Sequence, residues 1–368
     1  MITTIIAFII IFSLLILVHE WGHFTAARRA GIKVEEFGIG LPPQAKKVYK
    51  DKKGTVYSLN WIPFGGFVRM FGDDSTDKKT LAHKDSFASK SIWRRTTVIL
   101  AGVTMNFLLA WLLITIGFMV GMQPFLVDQA DVDKGVKNGI IEVQKAYYVK
   151  EIDAGMPLSK TSIKSGDSII SINGVAISEK MVLASTFKPN VKNTITYIHD
   201  QVVTTLNVVP NKDGKIGMTY FAADLLNVKK VKYPFYKAPI KAFGEVWRLS
   251  VLTVKMIGKV VTSIVAKFTV PEGVAGPVGI FKMTETFAQK GFMALIQFTA
   301  LLSISLGVIN VMPFPALDGG RFLFIIFEVI SRKKPNAKWE TIIHTIGFAL
   351  LMVFIVIITW NDIMMLFR

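Results

Sequence analysis

The sequence predicts an α-helical polytopic membrane protein with four transmembrane helices and an inserted β-rich domain. Three observations carry that expectation. The 368 residues are 51% hydrophobic with a mean hydropathy of +0.46, which is apolar for a water-soluble chain. The apolar residues are gathered into four runs, at about Ile2 to Val18 and on through the histidines beyond, Thr97 to Val120, Phe292 to Met312, and Ile342 to Trp360. Each run is long enough to cross roughly 30 Å of hydrocarbon at about 1.5 Å per helical residue. Between the second and third runs lies a stretch of soluble texture, with short alternating segments broken by Gly, Asn and Asp.

The first run ends in LLILVHEWGHF, Leu14 to Phe24, with three ionisable side chains in five residues. An ionisable group in hydrocarbon costs roughly 2.5–3.5 kcal/mol on insertion scales, so this cluster needs a compensating partner. No Lys or Arg precedes Arg28 and no small-residue cleavage pattern follows the run, so a helix that is retained, not a cleaved leader, is expected. His19-Glu20-Trp21-Gly22-His23 is an HExxH pattern. On a helix both imidazoles face one way, which suits shared ligation of Zn²⁺, with Glu20 directed at the attacking water. The chain has no cysteine, so a metal must be held by His and carboxylate.

The segment from about Thr25 to Thr96 carries Arg28, Arg29, Lys46, Lys47, Lys50, Lys52, Lys53, Arg94 and Arg95, and SRKKPNAK (Ser331 to Lys338) separates the last two runs. Counted by the positive-inside rule, both loops face the cytoplasm, while both termini and the middle domain face outward. The net charge of +17 thus reads as loop and lipid-headgroup chemistry; no nucleic-acid motif accompanies it.

In the middle domain, about Gly121 to Ala223, SIKSGDSIISINGVAIS (Ser162 to Ser178) predicts an alternating apolar strand through Ile169, Ile170 and Ile172. Asn173-Gly174 then makes a tight turn into Val175 and Ile177. With YVKEIDAGMPLSK before it, this stretch resembles a PDZ domain, whose business is adding an extended peptide to a sheet edge. Lys229 to Ala288 reads as one or more amphipathic surface helices, with Trp247, Leu249, Val254, Ile257 and Val261 on apolar faces.

A catalytic zinc site wants three protein ligands and an open position, so a third ligand must come from another segment. Asp318, in NVMPFPALDGGR (Asn310 to Arg321), is the candidate. Pro313 and Pro315 break the helix before it, and Gly319 and Gly320 permit close approach. Read alone, Asp318 could equally cap the following helix.

HEWGH in the first membrane helix, a PDZ-like insert, and NVMPFPALDGG near the end of the third together resemble the site-2 protease family (peptidase family M50) of intramembrane zinc metalloproteases. The resemblance, closest to the bacterial regulator of sigma-E protease type, covers nearly the whole chain in order. It implies His19, His23 and Asp318 as Zn²⁺ ligands, Glu20 as catalytic base, and Asn310 as a residue that contacts substrate. NWIPFGGFVRMFGDD, Asn60 to Asp74, is similar to the family's membrane re-entrant β-hairpin. Gly65 and Gly66 would allow its turn into Phe67, Val68 and Met70, and the hairpin would hold an unwound substrate as an added strand. AGVTMNF, Ala101 to Phe107, matches the family's small-residue and asparagine pattern, with Val103 where proline is common. The best-known members of this type carry two tandem PDZ domains, whereas one is visible here.

The resemblance divides the chain into an N-terminal membrane part (1–120), an extracytoplasmic PDZ domain (121–223), linker helices (224–291) and a C-terminal membrane part (292–368). It implies a multi-pass protein of the bacterial inner membrane with its site near the cytoplasmic side. The expected partners are the lipid bilayer and single-span membrane-protein substrates, already cut by another protease; no nucleic acid is expected. Two other function classes stay open on the residues alone. A PDZ-bearing scaffold would lack one of the four chemical residues. A metal transporter would spread polar residues along several helices, yet Thr97 to Val120 offers only Asn106 and a few hydroxyls.

Overall fold

The computed structural model describes residues 2–73, 77–178, 186–199, 202–267 and 274–367, and divides into two compact units, Met1–Met122 with Lys232–Arg368, and Gln123–Val231. Four helices are long and apolar enough to cross a membrane: Ile2–Arg29, Ile92–Val120, Phe292–Val311 and Ala337–Met365. Many of their large apolar side chains, such as Ile6, Ile10, Leu112 and Val356, point away from the protein, as helices solvated by hydrocarbon require.

The first unit opens with α1 (Ile2–Arg29), whose apolar run passes unbroken through the HExxH residues. It stops where Gly31 takes φ +73° and the Ile32 N–H returns to the Ala27 carbonyl at 2.9 Å, a left-handed glycine stop. Strands β1 (Val34–Lys50) and β2 (Val56–Met70) then pair antiparallel, with register shifts that curl the pair on itself. Phe37, Gly38 and Ile39 consequently face both Tyr57–Leu59 and Gly66–Val68. Val56–Leu59 runs in the same direction as Glu36–Ile39 whereas Gly66–Met70 runs opposite to it, so the chain reverses between Leu59 and Gly66, with Gly65 at φ +83°. The chain also reverses at Asp51–Gly54, where the Asp51 carboxylate accepts the Lys53 and Thr55 N–H groups and Gly54 has φ +87°. Glycine at 66 also answers a steric demand, since a Cβ there would stand 2.8 Å from Leu17 and 2.9 Å from the Gly38 carbonyl. Asp74, the last residue of the expected hairpin stretch, lies outside the described residues. After the short α2 (Lys78–Ala82), α3 (Ile92–Val120) runs beside α1.

The second unit is mostly sheet. Helix α4 (Gln129–Lys137), absent from the sequence expectation, begins at Asp128, whose carboxylate accepts the Asp131 N–H. Strands β3 (Ile141–Ile152), β4 (Ser168–Ile172), β5 (Val175–Ala176), β6 (Asn193–His199), β7 (Val202–Val208) and β8 (Met218–Val228) form one six-stranded sheet. Its order is β7-β6-β4-β3-β8, with β5 paired to β4. The β3–β8 ladder continues past Ala223 to Val228. Asn173 (φ +52°) and Gly174 (φ +76°) make the tight turn between β4 and β5. Alternation is not what the structure shows in β4. Ile169, Ile170 and Ile172 are all buried, because β4 is a central strand, and Ile169 and Ile172 join Val149, Leu158 and Ile195 in the core.

Returning to the first unit, α5 (Ala238–Lys267) packs against α3 and the Phe292–Val311 helix, and buries Ala238, Ala242, Val246 and Leu249. Its expected apolar face proves to be two faces, for Trp247, Val254 and Val261 are exposed while Leu249 is buried. Residues 268–273 of the expected linker lie outside the described residues. Helices α6 (Pro277–Gln289), α7 (Phe292–Val311), α8 (Asp318–Ser331) and α9 (Ala337–Leu366) complete the unit. Arg95 of α3 grips Glu328 of α8 through both carboxylate oxygens at 2.8 Å, and both side chains are buried. Losing either partner would strand a buried charge at a cost of about 3–5 kcal/mol, so this pair holds α8 against α3.

Candidate metal centre

The HExxH spacing places His19 and His23 on the face of α1 that meets α3. The two helices come close because Gly22 lies against the Ala101 backbone, where a Cβ would be 2.4 Å from the carbonyl oxygen. α3 also holds both rings. His23 donates its Nδ1–H to the Val98 carbonyl at 2.8 Å, which leaves Nε2 as the free donor atom. The His19 Nδ1 lies 3.1 Å from the side-chain amide of Asn106, which is fully buried and whose Oδ1 otherwise lacks a partner. With the amide oriented so that Oδ1 accepts the His19 Nδ1–H, both groups are satisfied and the His19 Nε2 is likewise freed. The Asn106 backbone carbonyl in turn accepts from Ser303 of α7 at 2.7 Å.

Asp318 arrives from the opposite side. α7 ends at Val311, ahead of Pro313 and Pro315, and α8 starts at Asp318. The position capping α8 is taken by Leu317, with no side-chain hydrogen bond, so Asp318 does not act as a cap. Its Oδ2 stands 3.1 Å from His19 Nε2 and 3.2 Å from His23 Nε2, and the two Nε2 atoms are 3.0 Å apart. Oδ2 is buried and makes no hydrogen bond. Four-coordinate zinc with bonds of about 2.0–2.1 Å spaces its ligand atoms roughly 3.3 Å apart, so this near-equilateral triangle fits one face of such a site. Two neutral imidazoles and one carboxylate, with the remaining ring nitrogens already partnered, are also the donor chemistry zinc takes. These three residues are a candidate metal-binding group, their ligand atoms all within 4.8 Å of one another.

Glu20 is one residue along α1, within electrostatic reach of His19, His23 and Asp318, with the Val68 N–H of β2 facing its carboxylate. β2 therefore reaches the centre directly. Gly65 approaches Ile16 and Gly66 approaches Leu17 on α1. The Gly66–Met70 segment pairs on one side with Val34–Ile39, and among the described residues no further strand pairs with it. Phe67 and Val68 are half-buried beside this edge. Asn310 occupies the last turn of α7, half-buried; among the described residues no hydrogen bond joins it to the three ligand-type side chains.

Sequence reasoning noticed Gly102 only as part of the small-residue pattern AGVTMNF and missed its contact with His23. A Cβ there would stand 2.3 Å from the His23 Nε2, so the ring lies directly on the α3 backbone. Because the Val98 bond prevents the ring from swinging aside, Gly102→Ala is expected to lower zinc affinity on the order of 10–100-fold, the usual scale for disturbing a ligand's support. Competition against a chromophoric zinc chelator measures this, and unchanged affinity would contradict the packing argument.

A family model for peptidase family M50 matches residues 7–354. The chain is 30% identical to zinc metalloprotease RasP of Bacillus licheniformis, the match covering 99% of each chain. It is 30% identical to the regulator of sigma-W protease RasP of Bacillus subtilis, over 100% of this chain and 99% of that one. It is 34% identical to a putative zinc metalloprotease of Clostridium perfringens, over 96% of each.

Proposed function

The chain belongs to peptidase family M50 as a zinc metalloprotease of the site-2 type, and on that premise we propose that it cleaves the membrane-spanning segments of single-span membrane proteins. Anti-sigma factors and remnant signal peptides are the substrate classes in view. The observation that carries this reading is the triangle of His19 Nε2, His23 Nε2 and Asp318 Oδ2 between helices apolar enough to cross a membrane.

In this reading His19, His23 and Asp318 hold the zinc and Glu20 is the catalytic base. Bound zinc supplies a Lewis acid for the scissile carbonyl and brings the pKa of water toward about 7. The Glu20 carboxylate takes the proton of the attacking water and delivers it to the leaving amine. Val98 and Asn106 keep the imidazoles turned inward through the cycle.

A helical substrate hides its peptide bonds within its own hydrogen bonding, so it must unwind first. The open edge of β2 from Gly65 and Gly66 to Phe67 and Val68, lying against α1 beside Glu20, suits an unwound segment added as a strand. The β1–β2 pair then acts as the re-entrant hairpin, and Asn310 contacts substrate from the end of α7. The middle domain is read as a PDZ domain, supported by the β4–β5 turn and sheet, that docks a peptide or filters by size and so admits substrates already shortened by another protease. The basic loops support a cytoplasmic site, with both termini and that domain extracytoplasmic in a bacterial inner membrane. The name of the Bacillus subtilis relative, a regulator of sigma-W protease, supports an anti-sigma factor as one substrate.

Trapping tests the substrate class. Glu20→Gln expressed in place of the wild type should leave specific single-span proteins uncut and associated with it. If the proteins that accumulate are soluble, or none do, the reading fails.

A further inference from the structure

Two residues before Asp318, Ala316 sits at φ +76°, in the left-handed region that a side chain with Cβ rarely adopts. Such an outlier persists only where its surroundings hold it, and here the holder is visible. The Ala316 N–H donates to Nδ1 of His344, on α9, at 2.9 Å. One turn further along α9, Gly347 lies against the same loop, where a Cβ would come within 2.4 Å of the Pro315 side chain and 2.8 Å of its carbonyl. His344 and Gly347 are three residues apart and so share one face of α9.

The loop itself is short of other anchors. Phe314 N–H turns back to Met312 and Leu317 N–H to Phe314, and Gly319 presses on the Val311 and Met312 carbonyls. These contacts are all local to residues 311–320. The α9 face ties the loop to an element remote in sequence, and Phe324 of α8 lies 5.5 Å from the His344 ring centroid. The Ala316 N–H donates to Nδ1, and only a ring nitrogen with a lone pair accepts, so in this contact His344 carries its proton on Nε2.

We propose that His344, braced by Gly347, is a positioning residue that sets the Pro315–Ala316 backbone and thereby aims the Asp318 carboxylate at the two imidazoles. This rests on the reading of Asp318 as a zinc ligand. Nothing about His344 touches the reacting atoms; it acts through three residues of backbone.

The test is zinc affinity of the full-length detergent-purified protein, by competition with a chromophoric chelator, for the wild type, Asp318→Ala, His344→Phe, His344→Asn and Gly347→Ala. His344→Phe keeps the bulk and removes the acceptor, and is expected to weaken zinc binding about 10–100-fold. His344→Asn presents a carbonyl oxygen near the Nδ1 position and is expected to restore most of the affinity. Wild-type affinity in His344→Phe, or equal loss in Phe and Asn variants, overturns the proposal. If Asp318→Ala itself binds zinc normally, it is the ligand assignment that fails. Should His344→Phe not fold, Gly347→Ala carries the same test, since it leaves His344 in place and pushes α9 off Pro315; wild-type zinc affinity there overturns the proposal equally.

Discussion

Glu20→Gln should bind zinc as the wild type does and cleave membrane substrates at least about 100-fold more slowly, within the 10²–10⁴-fold that a general base contributes. The amide keeps the side chain's size and a hydrogen-bond acceptor but cannot take a proton from water. The ligand triangle does not include Glu20, so the metal content should survive the change. Initial rates on a reconstituted single-span substrate, paired with zinc content per chain, measure both halves. Loss of zinc along with activity would make Glu20 a ligand and not the base. Retained turnover would remove it from the chemistry altogether.

Asp318→Ala should lower bound zinc from about one per chain toward zero. A catalytic zinc needs three protein ligands, and this change leaves two imidazoles with their Nε2 atoms 3.0 Å apart and no anion between them. Because Arg95–Glu328 and Arg321–Asp73 hold α8 independently, the fold around the site should persist. Elemental analysis after dialysis against a weak chelator gives the zinc count, and a far-ultraviolet spectrum gives the fold. Near-stoichiometric zinc in the folded variant would assign the third ligand elsewhere.

The parts of this molecule that were legible in its sequence are those governed by local spacing. An i, i+4 histidine pair on a helix is a statement about one turn of backbone, and the Asn173-Gly174 turn is a statement about two residues. Length and hydropathy alone likewise locate four membrane-length helices. What stayed hidden depends on contacts between distant segments. Val98 offers a backbone carbonyl to His23, which no side-chain pattern announces. Gly102 matters because His23 lies on it, and His344 because Ala316 points an N–H at it. The glycines at 65 and 66 read as a turn, and the chain does reverse just before Gly66; the packing of Gly66 against Leu17 and Gly38 is what no local pattern announces. Trp247 and Leu249 read as members of one apolar face, yet two faces of α5 carry them, because only one is packed against its neighbours.

The central claim is that a single zinc held by His19, His23 and Asp318 cuts a peptide bond inside the membrane. Mass spectrometry of products from purified enzyme and a single-span substrate, co-reconstituted in lipid vesicles, tests it most directly when run with zinc, after chelation, and after zinc is restored. The expected products are cut within the apolar span, vanish on chelation and return with zinc. Cuts confined to the flanking soluble segments, or products that persist in the chelated sample, would contradict it.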